Sequence, residues 1–205
     1  MLNNYPYPGE ERLPLKQVFG MLHAMAKMYK PGETDCKDID PWVCLLKSVY
    51  YLLPEGRVKR MWLKYYDINP DPSMDPVGWS YGLHKKITQE IHERKFMSRE
   101  EFDYMFSPGV MNIQTWSHPT WFMIHYLALR VHTHADALVY KAFISCLQFM
   151  LPCPRCRNHL RVNLRSLPIE NAPNTYVWSC DLHNQVNRQL QKPEVECDQV
   201  RGLYL

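Results

Sequence analysis

The residues best suited to chemistry are Cys153 and Cys156. They stand in Leu151-Pro152-Cys153-Pro154-Arg155-Cys156-Arg157, where a long apolar segment stops and a basic one begins. Pro152 and Pro154 close the upstream helix and set the backbone entering the next, because proline fits a first helical turn but not an interior. A spacing of three puts both sulfurs on one helical face within disulfide reach. A helix N-terminus flanked by Arg155 and Arg157 favours thiolate over thiol. Taken alone, the pair suits redox chemistry, half of a zinc site, or two buried thiols.

Two other groups bear on that choice. Trp121 and His125, four apart, share one helical face. They read either as a buried Trp with a satisfied core His, or as a stacking wall for an adenine or flavin ring. His183, Asn184 and Asn187 fall at i, i+1 and i+4 of another helix, so one side carries an imidazole and an amide a turn apart. Asn is a poor helix former, and two in an interior suggest that their amides are used. Such groups suit a flat heteroaromatic ligand; the plainer reading is a solvated polar face.

The elements that must position these residues are helical. Leu15, Val18, Phe19, Leu22, Met25, Ala26 and Tyr29 recur at helical spacing. Asp40-Pro41 opens a second helix to Leu53, and residues 56–66 and 76–93 predict a third and fourth. Ser98-Arg99-Glu100-Glu101 is a capping box for a short helix to Phe106. Beyond Ser107-Pro108-Gly109 the order returns, with helices expected over 119–131, 135–151, 154–164 and 175–190. No alternating strand pattern occurs.

The two series overlay at a spacing of roughly 100 residues, as a repeat would. His23 follows Leu22 as His125 follows Ile124, and Trp79-Ser80-Tyr81-Gly82-Leu83-His84 matches Trp178-Ser179-Cys180-Asp181-Leu182-His183. Glu55 and Val58 stand where Cys153 and Cys156 do; Tyr81, Lys85 and Thr88 stand where Cys180, Asn184 and Asn187 do. The expectation is an all-α protein of two tandem helical bundles, a degenerate bundle over 1–110 and a catalytic one over 111–205.

Composition narrows the class. A chain of 205 residues, 46% hydrophobic and 22% charged, can bury a core of its own. The net charge of +3 comes from interspersed residues, which predicts no nucleic-acid partner. No apolar run approaches the ~20 residues of a membrane span. The N-terminus lacks the charged and apolar regions of a signal peptide. Seven cysteines without such a signal favour catalytic or metal-binding use over a secreted disulfide framework.

At this point a resemblance becomes specific. Thr120-Trp121-Phe122-Met123-Ile124-His125, then Cys153-Pro154-Arg155-Cys156, then Trp178-x-Cys180-x-Leu182-His183-Asn184-x-Val186-Asn187, Lys192-Pro193 and Cys197 resemble, in order, the Erv/ALR flavin-dependent sulfhydryl oxidases. The resemblance covers about 114–197. Ser117-His118 departs from it, since the family usually has Gly-Arg before the Trp. The tandem arrangement is similar to quiescin sulfhydryl oxidases, where a degenerate bundle imitates the family's homodimer, and the small size looks more like the oxidases of large DNA viruses.

The resemblance implies bound FAD, contacted by Trp121, His125, Cys156, His183, Asn184, Asn187 and Lys192. It implies a resting Cys153–Cys156 disulfide, with Cys153 attacked by substrate and Cys156 nearest the flavin. Cys180 and Cys197 would form a structural disulfide. The implied partners are thiol-containing proteins and oxygen, with hydrogen peroxide as product. A homodimer would use a surface other than the pseudo-dimer face. The implied compartment is host cytoplasm or virion for a viral protein, otherwise the mitochondrial intermembrane space. Cys36 and Cys44 could act as a shuttle pair, and Cys146 is expected to be a buried thiol. The rival reading is a zinc-stabilised, non-enzymatic interaction module using Cys153, Cys156, Cys180 and His183; no metal is expected in the oxidase reading.

Overall fold

The computed structural model describes residues 14–30, 40–92, 96–172 and 174–204. Among these it is all-helical, with no strand. The first half contributes α1 (Leu15–Met28), α2 (Pro41–Leu52), α3 (Arg57–Ile68), α4 (Pro76–His92) and α5 (Arg99–Met105). The second contributes α6 (Ile113–Ala128), α7 (His134–Met150), α8 (Pro154–Ser166), α9 (Thr175–Gln189) and α10 (Cys197–Val200), then a 3-10 turn over Arg201–Tyr204.

Local chemistry fixes most of these boundaries. The Asp40 carboxylate accepts from the backbone N–H groups of Trp42 and Val43 at the start of α2, with Pro41 at its first position. Ser98 and Glu101 form the reciprocal capping box of α5, and Thr133 and Asp136 form another on α7. Ser107-Pro108-Gly109 is a turn, closed by Val110 and Met111 N–H groups donating to the Ser107 carbonyl.

One helix differs from expectation. A start at Pro119 is predicted for α6, yet it begins at Ile113 under an Asn112–Thr115 capping box and carries Pro119 inside. An interior proline costs about 3 kcal/mol through its missing N–H and ring clash. The location explains its tolerance: α1 crosses α6 here, and a Cβ placed on Gly20 would lie 3.0 Å from Pro119 Cγ. The proline ring fills a close approach that Gly20 opens.

The halves join through equivalent helices. α1 packs on α6 and α2 on α7, while α1 packs on α4 as α6 packs on α9. The two principal contacts between halves therefore each pair a helix with its own counterpart, as in an isologous dimer interface. The buried cluster runs through both halves, from Phe19, Leu22 and Leu45 to Met123, Phe143, Leu147 and Trp178. Burial at about 25 cal/mol per Å² makes this shared core the main stabilising term.

Candidate functional site

Three helices carry the site. Cys153 caps the N-terminus of α8, and its sulfur accepts the Cys156 backbone N–H at 3.1 Å. Cys153 and Cys156 are joined as a disulfide, and both are half-buried. The helix N-terminus thus directs an N–H at the Cys153 sulfur, where it would stabilise negative charge whenever Cys153 is a thiolate. The arginines contribute differently from expectation. Arg157 donates to the carbonyls of Phe149 and Leu151, closing the end of α7, and Arg155 is exposed. The guanidinium of Arg157 is taken by the orphan carbonyls a helix end presents.

On α6 and α9 an aromatic and imidazole stack forms. Trp121 lies parallel to His183, with ring centroids 4.0 Å apart and 4° between planes. His125 is buried, with Nδ1 2.9 Å from Ser179 Oγ and Nε2 2.9 Å from His183 Nδ1. With the Ser179 proton assigned to the Tyr176 carbonyl, 2.7 Å away, the hydroxyl accepts from His125 Nδ1–H. His125 Nε2 is then an acceptor for His183 Nδ1–H, and His183 Nε2 is left as a bare acceptor. Burial, then the His183 ring, lowers the pKa of His125 to about 3. Burial, then the charges of Lys192 and His118, lowers that of His183 to about 4. Both rings are neutral at pH 7.

The remaining site residues divide. Asn187 is buried on α9, and its carbonyl accepts the Lys192 N–H at 2.8 Å, which holds the exposed Lys192 close to the stack. Asn184 spends both ends of its amide on Val195: Nδ2 donates to the carbonyl and Oδ1 accepts the N–H, each at 2.9 Å. It anchors the C-terminal segment. Cys180 and Cys197 are bonded, and the Tyr176 hydroxyl donates to the Cys197 carbonyl at 2.8 Å. Removing that bridge with Cys180→Ala, Cys197→Ala should cost about 3 kcal/mol by loop entropy, read as a melting temperature roughly 10 °C lower. An unchanged melt would show that Asn184 and Tyr176 hold the tail unaided.

Zinc does not fit. Cys153, Cys156 and Cys180, which the zinc reading needs as thiolates, are all consumed in disulfides, and no group of three or more ligating side chains occurs among the described residues. Cys36 lies outside the described residues. Cys44 is on α2, and Cys146 is buried on α7.

A buried amide escaped the sequence reading. Asn163 on α8 is fully buried and exchanges hydrogen bonds with Gln189, at 2.7 and 3.3 Å, and with Gln185 at 3.2 Å on α9. This ladder ties the cysteine helix to the histidine helix. Its only trace in the sequence is an Asn in the interior of a helix.

The first half repeats the stack without the cysteines. His23 Nδ1 is 3.2 Å from Ser80 Oγ, and His23 Nε2 is 2.8 Å from His84 Nδ1. Phe19 lies parallel to His84 at 3.9 Å, as Trp121 does to His183. Phe96 then meets His84 edge-on at 4.6 Å, and Phe102 meets His23 at 4.7 Å. These rings close the first half's site, and His84 is buried where His183 is half-exposed.

Residues 118–204 match the sequence model of the Erv1 / Alr family. The chain is 30% identical over 99 residues to the FAD-linked sulfhydryl oxidase ERV1 of Arabidopsis thaliana, covering 46% of this chain and 52% of that protein. It is 32% identical over 91 residues to the Oryza sativa protein of the same description, covering 40% and 45%. Over 85 residues it is 29% identical to a probable FAD-linked sulfhydryl oxidase of Acanthamoeba polyphaga mimivirus, covering 38% and 59%. The chain thus spans about half the length of these curated relatives. No solved structure matches it.

Proposed function

We propose that the chain, whose residues 118–204 match the sequence model of the Erv1 / Alr family, is an FAD-dependent thiol oxidase that forms disulfides in protein substrates. The observation that carries this reading is a Cys153–Cys156 disulfide at a helix N-terminus, in the same bundle as the parallel Trp121–His183 stack. The stack and its surroundings fit the cofactor. Flat rings match an isoalloxazine or adenine, His183 Nε2 offers an acceptor, and Lys192 supplies positive charge for a pyrophosphate. Trp121, His125, Cys156, His183, Asn187 and Lys192 would hold it. Asn184 acts through the tail that it anchors.

A substrate thiolate attacks Cys153 Sγ, the Cys153–Cys156 bond breaks, and Cys156 leaves as a thiolate. A second substrate thiol attacks the mixed disulfide at the substrate's sulfur. Oxidised substrate departs, and the Cys153–Cys156 pair holds two electrons and two protons. FAD held by these residues would supply the two-electron acceptor for that dithiol, with oxygen as the final acceptor and hydrogen peroxide as the product. The backbone N–H of Cys156 stabilises the Cys153 thiolate, which makes Cys153 both a good leaving group and an entry point. The first half lacks cysteines at these positions and acts as scaffold; it occupies the face that a homodimer would use, so a second copy would bind elsewhere.

The direct test is to purify the chain, record its absorbance and add a reduced dithiol while following oxygen. Flavin bands near ~450 nm, oxygen uptake and peroxide formed one-to-one support the proposal. A colourless protein that consumes no oxygen overturns it.

A further inference from the structure

Cys44 and Cys146 are thiols rather than half-cystines, and they lie on α2 and α7, one of the two helix pairs that join the halves. The Cys146 thiol is buried and hydrogen-bonds the Cys44 sulfur, which is half-exposed. Ser48, one turn along α2, gives Cys44 another hydrogen bond, and Lys47 adds a positive charge. Together, the Cys146 bond foremost and against the opposing pull of burial, they bring the Cys44 thiol to about 7. A reachable, acidic thiol in contact with a buried one is the arrangement of an attacking and a resolving cysteine.

We propose that Cys44 and Cys146 form a second dithiol site, converted by a low-molecular-weight disulfide into a bridge between the two halves. The Cys44 thiolate attacks one sulfur of the small disulfide, whose S–S bond breaks and releases one thiolate. Cys44 then carries a mixed disulfide. The Cys146 sulfur attacks Cys44 Sγ, and the second small thiol leaves, taking the Cys146 proton. Two protein thiols are oxidised and one disulfide is reduced to two thiols. Because α7 runs from Cys146 into the Leu151-Pro152-Cys153 bend, the bridge fixes the helix that presents Cys153. This chemistry needs neither flavin nor the Cys153–Cys156 pair, so it stands apart from the proposed oxidase activity.

The test uses the full chain as purified, mildly reduced, held under nitrogen and titrated with oxidised glutathione. Remaining thiols are then alkylated in denaturant and the peptides mapped. The expected product is a Cys44–Cys146 linked peptide pair, formed with release of two glutathione thiols per chain. The melting temperature should rise by roughly 10 °C, because the bridge closes a loop of about 100 residues. Cys146→Ser should stop at a glutathione adduct on Cys44, and Cys44→Ser should leave Cys146 alkylatable. A stable glutathione adduct on wild-type Cys44, a Cys36–Cys44 bridge, or two unmodified thiols would each overturn the proposal.

Discussion

Cys153→Ser and Cys156→Ser should each lower turnover of a dithiol substrate by about 1000-fold or more, with the ~450 nm flavin band retained. A serine hydroxyl cannot undergo thiol–disulfide exchange, and the two sulfurs act as one unit, so losing either removes nearly all of the effect. Folding should survive, because Cys153 is the N-cap and Cys156 lies in the first turn of α8, and both are half-buried. The variants differ in what they trap. Cys156→Ser leaves Cys153 as a thiol at the N-cap, able to hold a substrate in a mixed disulfide. Cys153→Ser leaves Cys156 in the site assigned next to the cofactor, so its spectrum is the one expected to respond to a thiolate. Oxygen uptake, the flavin spectrum and non-reducing electrophoresis read all three. An active Cys156→Ser enzyme would end the assignment of roles.

The cysteine pair was legible because prolines punctuate it and a spacing of three is a covalent constraint. Caps at Asp40 and Ser98 were legible for the same local reason. What stayed hidden depends on contacts between helices. Pro119 signals a helix start to any local rule, and only the crossing of α1 at Gly20 shows why it lies inside α6. Arg157 reads as a neighbour of the thiols, yet its reach backward to Phe149 and Leu151 sends its charge to the end of α7. Asn163 became visible as a link once α9 brought Gln185 and Gln189 against it. The contact between Cys44 and Cys146 needs α2 to pack on α7.

The two stacks separate scaffold from chemistry. Ser80, His23, His84 and Phe19 reproduce the arrangement of Ser179, His125, His183 and Trp121, though no cysteine pair accompanies them. The hydrogen-bonded His–His–Ser chain therefore joins α1 to α4 and α6 to α9 whether or not a cysteine pair accompanies it. What distinguishes the second half is that Trp replaces Phe19, that no counterpart of Phe96 meets His183 among the described ring contacts, and that Cys153 and Cys156 stand at the head of α8.

Buried neutral imidazoles make a second large effect expected: stability should fall as pH drops from 7 to 5. Protonating His125 would put a hydrogen on Nε2 facing His183 Nδ1–H, on a ring that is almost fully buried. Its folded pKa is about 3 and its unfolded value about 6.5, so the unfolded chain binds the extra proton between those limits. Stability is complete above about pH 6.5 and is lost as pH falls toward 3, at up to 1.36 kcal/mol per unit. By pH 5 the loss from His125 is about 2 kcal/mol, or roughly 5 °C in melting temperature. His23 and His183, also depressed, add loss of the same sign. The depressed carboxyls of Asp103 and Asp136 act only below about pH 4, while Cys44, at about 7, adds a smaller loss of the same sign near pH 7. Thermal melts at pH 7, 6 and 5 decide the matter: a flat profile would mean that the imidazoles admit protons in the folded state, and the assigned tautomers would have to be abandoned.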